Sequence, residues 1–221
     1  MNEIVQTVNP RAKRLSLRVD QKAGVIRLTV PKWTMQRTID RFLSKQADWI
    51  KDKQKHLLPK INITDGAVIP FTGTDHVIRI QKHTKRTTDI EITDSSILIT
   101  TSRDDPSSNL KRWIIEYARE IITPLANEKA SQINKTISKI DLRDPSSRWG
   151  SCSTDKRLMF SWRVIMAPPY VLDYLVAHEV AHLKHMDHSQ KFWDTCYDLC
   201  DRPDEGRAWL KNHGNDLMRW F

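Results

Sequence analysis

The chain has 221 residues, a formal net charge of +9 and 39% hydrophobic residues. This length supports one large or two small domains whose hydrophobic core needs no disulfides. Because the three cysteines form no paired framework, the start shows no basic and then apolar leader, and prolines interrupt the most apolar stretch, we expect a cytoplasmic protein without a membrane span.

The positive charge is concentrated in the first quarter of the chain. Residues 1–60 contain 14 Lys and Arg against 5 Asp and Glu, whereas the remainder is close to neutral. A basic surface of this kind can attract nucleic acid, nucleotides or another polyanion. Solvated helix faces explain the same pattern, so both interpretations stand.

The first hundred residues predict a small sheet and one basic helix. Residues 9–18 and 25–30 alternate as a hairpin, and an amphipathic helix follows from Thr34 to about His56. We expect Trp33 and Trp49 in the core rather than as platforms for base stacking. Four short strands are predicted next, at residues 67–71, 76–81, 89–92 and 97–101.

A long helix and a hairpin are predicted in the next part of the chain. The helix extends from Leu110 to about Ile133, and Pro124 should kink or shift it; a strand covers residues 136–142. A polar strand at residues 148–153 and an apolar strand at residues 158–166 form the hairpin.

Three helical segments are predicted in the remainder. The first begins at Pro168–Pro169, since proline suits the first turn of a helix, and it carries a cluster of histidines. The others cover residues 189–200 and 204–220, with a break at Gly214.

The histidine cluster is the strongest chemical signal. Residues 178–189 hold four of the eight histidines, and His178-Glu179-x-x-His182 fits the pattern that binds zinc on a helix. Residues i and i+4 share one helix face, so both imidazoles can reach a single ion while Glu179 points to one side.

The third ligand follows from geometry. His185 lies seven residues after His178, about 10.5 Å along a helix axis, which is too far for one ion with zinc–nitrogen bonds of about 2.0–2.1 Å. The chain must therefore turn, with Asp187 or Ser189 capping the next helix, and return His188 towards the ion. His185 is expected to face outward or to support a ligand, and it replaces the turn glycine of the metzincin pattern, which argues against a metzincin turn.

Four motifs follow one another between residues 148 and 193. They read R-W-G-S-C-S at 148–153, I-M-A-P at 165–168, V-L-D-Y-L-V-A-H-E-V-A-H-L at 171–183 and H-S-x-x-F-W at 188–193. Together they resemble the YgjP-type predicted metal-dependent hydrolases, relatives of the gluzincin peptidases and of the SprT proteases. One departure is Ser161, which stands where the family has asparagine.

The resemblance implies a compact zincin fold with His178, His182 and His188 as ligands and Glu179 as base. It also implies that the segment beginning at Arg148 lies beside the cleft. The cleft residues of this segment are Trp149, Gly150, Ser151, Cys152 and Ser153. We therefore expect an α+β protein with an N-terminal β-rich basic region at residues 1–104 and a zincin-like metal-binding catalytic region at residues 105–221.

Such a site predicts hydrolysis. Three neutral imidazoles leave the charge of the ion undiminished and one position open, which lowers the pKa of water towards 7, and Glu179 would accept the proton. Zn²⁺ is the expected ion, although Ni²⁺ or another divalent ion would also suit histidine ligands. Arg148 would stabilise negative charge in the transition state or form a structural salt bridge.

Three functions remain open. A metallopeptidase is favoured, because an edge strand at residues 148–153 beside a zinc helix can hold an extended peptide. A phosphoanhydride hydrolase acting on nucleoside triphosphates such as UTP is the second, since the basic first quarter and Arg148 would suit a polyphosphate. In the third, zinc only stabilises the C-terminal half, and the basic region binds nucleic acid.

Overall fold

The computed structural model describes residues 4–55, 57 and 59–221. The chain divides into two compact units, Met1–Ile61 with Met218–Trp220 and Asn62–Leu217 with Phe221. Helices and small mixed sheets occur together, so the predicted α+β class is confirmed. The boundary predicted at residues 104–105 falls inside the second unit, and the division into a basic and a catalytic region stays a prediction.

The first unit contains a three-stranded sheet, β1 (Ile4–Asn9), β2 (Ser16–Asp20) and β3 (Val25–Pro31), in the order β1-β3-β2. β2 and β3 are antiparallel, which confirms the hairpin, although its first strand begins at Ser16 rather than at Asn9. β1 was not predicted, and it pairs with β3 in parallel. Alternate residues of β3 are buried, as a half-buried strand requires.

Two helices replace the single basic helix that the sequence predicted. They are α1 (Gln36–Lys45) and α2 (Ala47–Lys55), and the chain leaves the helical conformation at Gln46, where φ is −102° and ψ is 10°. Each helix buries one isoleucine against the sheet. The predicted end at His56 lies outside the described residues.

The two tryptophans of this unit differ from the prediction and from each other. Trp49 packs against the buried cluster of Ile26, Ile50 and Leu57, so it belongs to the core. Trp33 is 87% exposed, with a left-handed φ of 68°, and the prediction that it is a core residue is wrong. It lies in the turn between β3 and α1.

The second unit begins with the four predicted strands, which form one sheet. They are β4 (Val68–Phe71), β5 (Thr74–Lys82), β6 (Thr88–Ile92) and β7 (Ser96–Thr101), in the order β4-β5-β7-β6. Phe71 packs against the rings of Trp113 and Tyr117, which belong to the following helix α3 (Ser107–Gln132). α3 continues as one helix through Pro124.

A second small sheet of this unit contains β8 (Lys139–Arg143), β9 (Gly150–Cys152) and β10 (Arg157–Ser161), in the order β8-β10-β9. The antiparallel pairing of β9 and β10 confirms the predicted hairpin. The prediction that the second strand reaches Met166 is wrong, because Trp162–Met166 is a 3₁₀ helix. All five of its residues are buried. A segment that is buried on every side does not alternate between apolar and polar residues, so its sequence cannot distinguish a strand from a helix.

Three helices complete the second unit, α4 (Pro169–Ala181), α5 (Gln190–Asp198) and α6 (Pro203–His213). A 3₁₀ helix at Gly214–Arg219 follows, which confirms the predicted break at Gly214. α4 is buried on most of its surface and packs between α3, α5 and α6. Among the described residues no helix is long and apolar enough to cross a membrane, and the cytoplasmic location stays a prediction.

Candidate metal centre

The end of α4 determines where the histidines lie. His178 and Glu179 occupy the last turn of the helix, and His182 is its C-terminal cap. The backbone amides of Leu183, Lys184 and His185 then bond back to carbonyls of Val180 and Ala181, which closes the helix. The chain turns before α5 begins, as the spacing of the histidines predicted.

The structure brings His178, His182 and His188 together. One nitrogen of each ring lies within 4.8 Å of the others, and the Nε2 atoms of His178 and His188 are 3.3 Å apart. Two nitrogens bound to one tetrahedral ion at about 2.0–2.1 Å would be about 3.4 Å apart. The donor set therefore fits a divalent ion such as zinc.

Other groups orient two of these imidazoles. Nδ1 of His182 donates to the carbonyl oxygen of His185 at 3.0 Å, which leaves Nε2 of His182 free for an ion. Nδ1 of His178 lies 3.5 Å from the hydroxyl of Tyr174, one turn earlier on α4. Such contacts set the ring orientation and tautomer of a metal ligand. His185 thus contributes its backbone, and its side chain is not part of the cluster.

Two acidic residues near the histidines have other partners. Asp187 accepts a hydrogen bond from the backbone amide of Ser189 at 3.2 Å, just before α5, so it acts at the helix start. Asp173 pairs with the buried Lys129 at 2.7 Å, which ties α4 to α3.

Burial keeps His178 and His182 neutral. It lowers the pKa of His178 to about 4, with the neighbouring His182 and His188 adding to the effect. Burial also lowers the pKa of His182, against the hydrogen bond to His185. Neutral imidazole is the form that binds a metal, so these rings need lose no proton at neutral pH.

Glu179 is the buried acid of the site. Its side chain is 4% exposed, and burial raises its pKa to about 8, while the positive charge of Arg148 opposes the rise. Gly150 lies directly against it: a Cβ at this position would stand 2.6 Å from Cδ and Cγ of Glu179. Only a glycine leaves room for the carboxylate in this position.

β9 is an edge strand of its sheet, paired with β10 on one side. The structure places Gly150, Ser151 and Cys152 of this strand along a cavity of about 300 Å³. We call it the histidine cavity, because His178, His182 and His188 line it together with Glu179 and Met186. Burial raises the pKa of the Cys152 thiol to about 11, so the thiol stays protonated at neutral pH.

A second cavity, of about 290 Å³, is also lined by Glu179. We call it the arginine cavity, since Arg207 of α6 contributes its single positive charge. Both cavities share Gly150, His178 and Glu179. The remaining residues of the arginine cavity are Trp149, Tyr174, Leu175 and Leu210.

Two predicted cleft residues stand apart from the cavities. Ser153 lies in the turn between β9 and β10, where its hydroxyl donates to Asp155, and it lines neither cavity. Arg148 precedes β9 with an exposed side chain, and its positive charge lowers the pKa of Glu179.

Ser161 stands where the family has asparagine. Its backbone amide donates to the carbonyl of Trp149 at 2.7 Å, and its buried hydroxyl has no hydrogen-bond partner in the described part of the chain.

Sequence reasoning missed several residues that surround the histidines. Phe192 packs against all three rings, with centroids 4.4–5.0 Å apart, and Trp193 lies against two of them. The spacing of Tyr174 four residues before His178 could have indicated its contact. Nothing in the local sequence around Arg207 indicates its position at the site.

Comparison with known families matches residues 13–213 to the YgjP-like metallopeptidase domain. The chain belongs to this family. The resemblance seen in the sequence is therefore confirmed, and the coarse prediction of a metal-dependent hydrolase, here a metallopeptidase, is confirmed with it.

One solved structure matches the YgjP-like chain, the metallopeptidase zymogen jannalysin of Methanocaldococcus jannaschii. The two are 24% identical, and the match covers 41% of this chain and 91% of the jannalysin chain with a TM-score of 0.35. A comparison with curated proteins found no match.

Proposed function

We propose that this YgjP-like protein is a zinc-dependent peptidase in which His178, His182 and His188 hold the ion and Glu179 is the general base. The observation that carries the proposal is the convergence of three imidazoles beside one buried carboxylate. Ni²⁺ or another divalent ion would fit the same donors.

Zinc at this position would supply a Lewis acid that polarises the scissile carbonyl and makes water more acidic. Glu179 would take a proton from the attacking water at a carboxylate oxygen and return it to the leaving amine. Its raised pKa suits both steps, because a general base works best when its pKa is near the working pH.

An extended peptide can bind along the free edge of β9. The backbone groups of Gly150, Ser151 and Cys152 would pair with it as an added strand, which aligns a peptide bond with the histidine cavity. Arg148, exposed beside this edge, would stabilise negative charge on the carbonyl oxygen in the transition state.

The test is Glu179→Gln in the zinc-loaded protein. We expect loss of peptide hydrolysis by at least 10²-fold with unchanged zinc content, because the amide cannot accept the proton. Glu91→Gln, at an exposed position of β6, is the control and should retain full activity. Equal activity of Glu179→Gln and the wild type would exclude Glu179 as the base.

The substrate class is tested by a screen with and without chelator. Peptides and unstructured proteins form one arm, and nucleoside triphosphates including UTP form the other. Chelator-sensitive peptide cleavage supports the proposal. Release of pyrophosphate or phosphate from nucleotides alone would replace it with the phosphoanhydride hydrolase that the sequence left open.

A second candidate function, nucleic-acid binding, rests on the exposed Trp33. Lys32 places its ammonium 4.9 Å from the indole centroid, and Met35 close by is 75% exposed. A free aromatic ring beside cations can stack a base while the cations bind phosphates, which suits single strands. We infer that the patch formed by Lys32, Trp33 and Met35 binds single-stranded nucleic acid.

Titration with a short oligonucleotide tests this inference. Trp33→Ala should weaken binding by about 1–3 kcal/mol, the contribution of one stacked base, and added salt should weaken it further. Lys85→Gln, an exposed lysine of the second unit, serves as control. Equal affinity of Trp33→Ala and the wild type would show that Trp33 does not bind nucleic acid.

A further inference from the structure

Arg207 is a cation of the candidate site that has no carboxylate partner. Within the described residues, no Asp or Glu oxygen forms an ion pair with it, whereas Arg202 at the start of the same helix pairs with Glu205. The other acid of this turn, Asp204, accepts a hydrogen bond from the hydroxyl of Tyr197 at 2.9 Å. The described part of the chain thus supplies a counter-charge to Arg202, the N-terminal cap of α6, and none to Arg207.

Aromatic packing positions this guanidinium. Its carbon lies 4.7 Å from the ring centroid of Trp193, and that ring lies 5.8 Å from His178 and 5.9 Å from His188. A guanidinium stacked on an indole loses little freedom when it binds a planar anion, since its fork geometry is already oriented. Arg207 is therefore held at the side of the histidine cluster although its side chain is exposed.

Such a position has an electrostatic cost. A positive charge here opposes a divalent ion held by the histidines. An anion that arrives with the substrate would relieve this repulsion, because Glu179 is the single acid among the described residues that line the two cavities.

The walls of the arginine cavity indicate what kind of anion fits. Trp149, Leu175 and Leu210 provide apolar surface, and Arg207 provides the charged group. A short apolar stem that ends in a carboxylate, as in a glutamate side chain, matches this combination. A carboxylate also forms paired hydrogen bonds with a guanidinium.

We propose that Arg207 binds a carboxylate of the substrate in the arginine cavity, so that peptides with an acidic residue or a free C-terminus next to the cleaved bond are preferred. This inference rests on the proposed peptidase function and names its substrate class. Arg207 would then determine specificity, while Glu179 and the histidines perform the reaction.

Matched peptides test the proposal with the zinc-loaded full chain. A peptide that the wild type cleaves is prepared with Glu or Gln at each position flanking the bond, and with a C-terminal acid or amide. We expect kcat/KM to favour one acidic form at least tenfold, and the position shows whether the carboxylate is a side chain or the terminus. In Arg207→Gln this preference should fall to about one, and Arg207→Lys should keep part of it, because lysine retains the charge without the fork.

A matched control and a second measurement separate the possible causes. Arg79→Gln removes an exposed arginine of β5 that lines neither cavity, and its preference should equal that of the wild type. Calorimetry measures how tightly the metal-free protein binds the acidic and amide peptides. The metal is removed because a bound ion could itself bind the carboxylate. Arg207→Gln should lose the difference between the two peptides.

The outcomes distinguish this inference from the proposed function. Cleavage of acidic and amide peptides at equal rates by the wild type would overturn the inference and leave the peptidase intact. If no peptide is cleaved, and metal-free protein still binds the acidic form through Arg207, the carboxylate site stands and the peptidase fails. Binding of inorganic pyrophosphate or UTP, but of no acidic peptide, would overturn the inference in favour of phosphate recognition.

Discussion

Burial controls the protonation of the individual residues at the site. It lowers the pKa of His178 to about 4 and raises the pKa of Glu179 to about 8. A charged imidazole and a charged carboxylate both lose hydration energy when they are buried, so the two shifts have opposite directions. The site is therefore prepared in its neutral form before an ion binds.

These shifts predict how the stability of the metal-free protein depends on pH. The folded protein holds the Glu179 proton more tightly than the unfolded chain, so the stability linked to this proton is present below pH 4.5 and is lost as the pH rises towards 8. His178 acts in the opposite direction, with loss as the pH falls from 6.5 towards 4. Between pH 6.5 and 8 the free energy of unfolding should decrease by about 1–2 kcal/mol.

Urea denaturation in the presence of a chelator measures this decrease. Glu179→Gln has no group to titrate, so the difference in stability between it and the wild type should grow over the same range. A pH-independent difference would show that Glu179 is already ionised in the metal-free protein.

Gly150 positions Glu179 by its lack of a side chain. Gly150→Ala would place a Cβ 2.6 Å from two carbons of a buried side chain that has little freedom to move. We expect a loss of activity of about 10²-fold, as a displacement near 1 Å costs, and a stability loss of about 1–3 kcal/mol from overpacking. Zinc content should not change.

Gly66→Ala is the matched control for this variant. Gly66 has a φ of 80°, and no atom lies within 4 Å of the position that a methyl group would take, so alanine strains the backbone there without touching the site. It should lower stability and leave turnover per folded molecule unchanged. Full activity of Gly150→Ala would mean that Glu179 can adopt another productive position.

An ion pair between a fully buried arginine and a partly exposed aspartate holds the elements around β9 in place. Arg163 of the 3₁₀ helix is fully buried and binds Asp144 through Nε at 2.7 Å and Nη2 at 3.2 Å. Its third nitrogen donates to the carbonyl of Leu217 at 3.0 Å, and its plane lies over Trp162. Asp144 begins the segment that leads from β8 to β9, so this pair fixes the approach to the cleft strand.

Removing one partner should be costly because the other charge stays buried. Asp144→Ala should lower the free energy of unfolding by about 2–4 kcal/mol, since its carboxylate is partly exposed. Asp104→Ala, which removes the exposed partner of Lys82, should give no measurable change. Denaturant titration compares the two variants, and equal small losses would show that Arg163 finds another partner.

The site as a whole is assembled from distant parts of the second unit. β9, α4, the turn before α5, and α6 each line the site, and the three histidine donors converge only when α4 has formed and the chain has turned after it. An ion that binds the folded state alone stabilises it, by about 2.7 kcal/mol at a hundredfold excess over the dissociation constant.

Thermal unfolding with and without zinc tests this expectation. The melting temperature should rise with zinc in the wild type, and His182→Ala or His188→Ala should abolish the rise. His185→Ala should retain it, because only the backbone of His185 contributes. A rise that persists without His188 would exclude it as the third ligand.

Helix geometry made much of the centre predictable from local sequence. The i,i+4 spacing places His178 and His182 on one face, and the rise per residue requires a turn before His188, which the structure contains. The strands at residues 68–101 and the hairpin of β9 and β10 also follow from local patterns. The apolar run at Trp162–Met166 did not reveal its conformation, since a segment buried on all sides has no period.

The sequence by itself determined the family, the α+β class and the histidines that converge, since these depend on residues close together in the chain. Tertiary structure alone decided that Gly150 leaves room for Glu179, that Arg163 reaches Asp144 and that Arg207 lies beside the histidines. These contacts join residues about 20 to 30 positions apart, and no local periodicity encodes such a distance. Packing of the helices against one another brings them together, and burial then sets their charges.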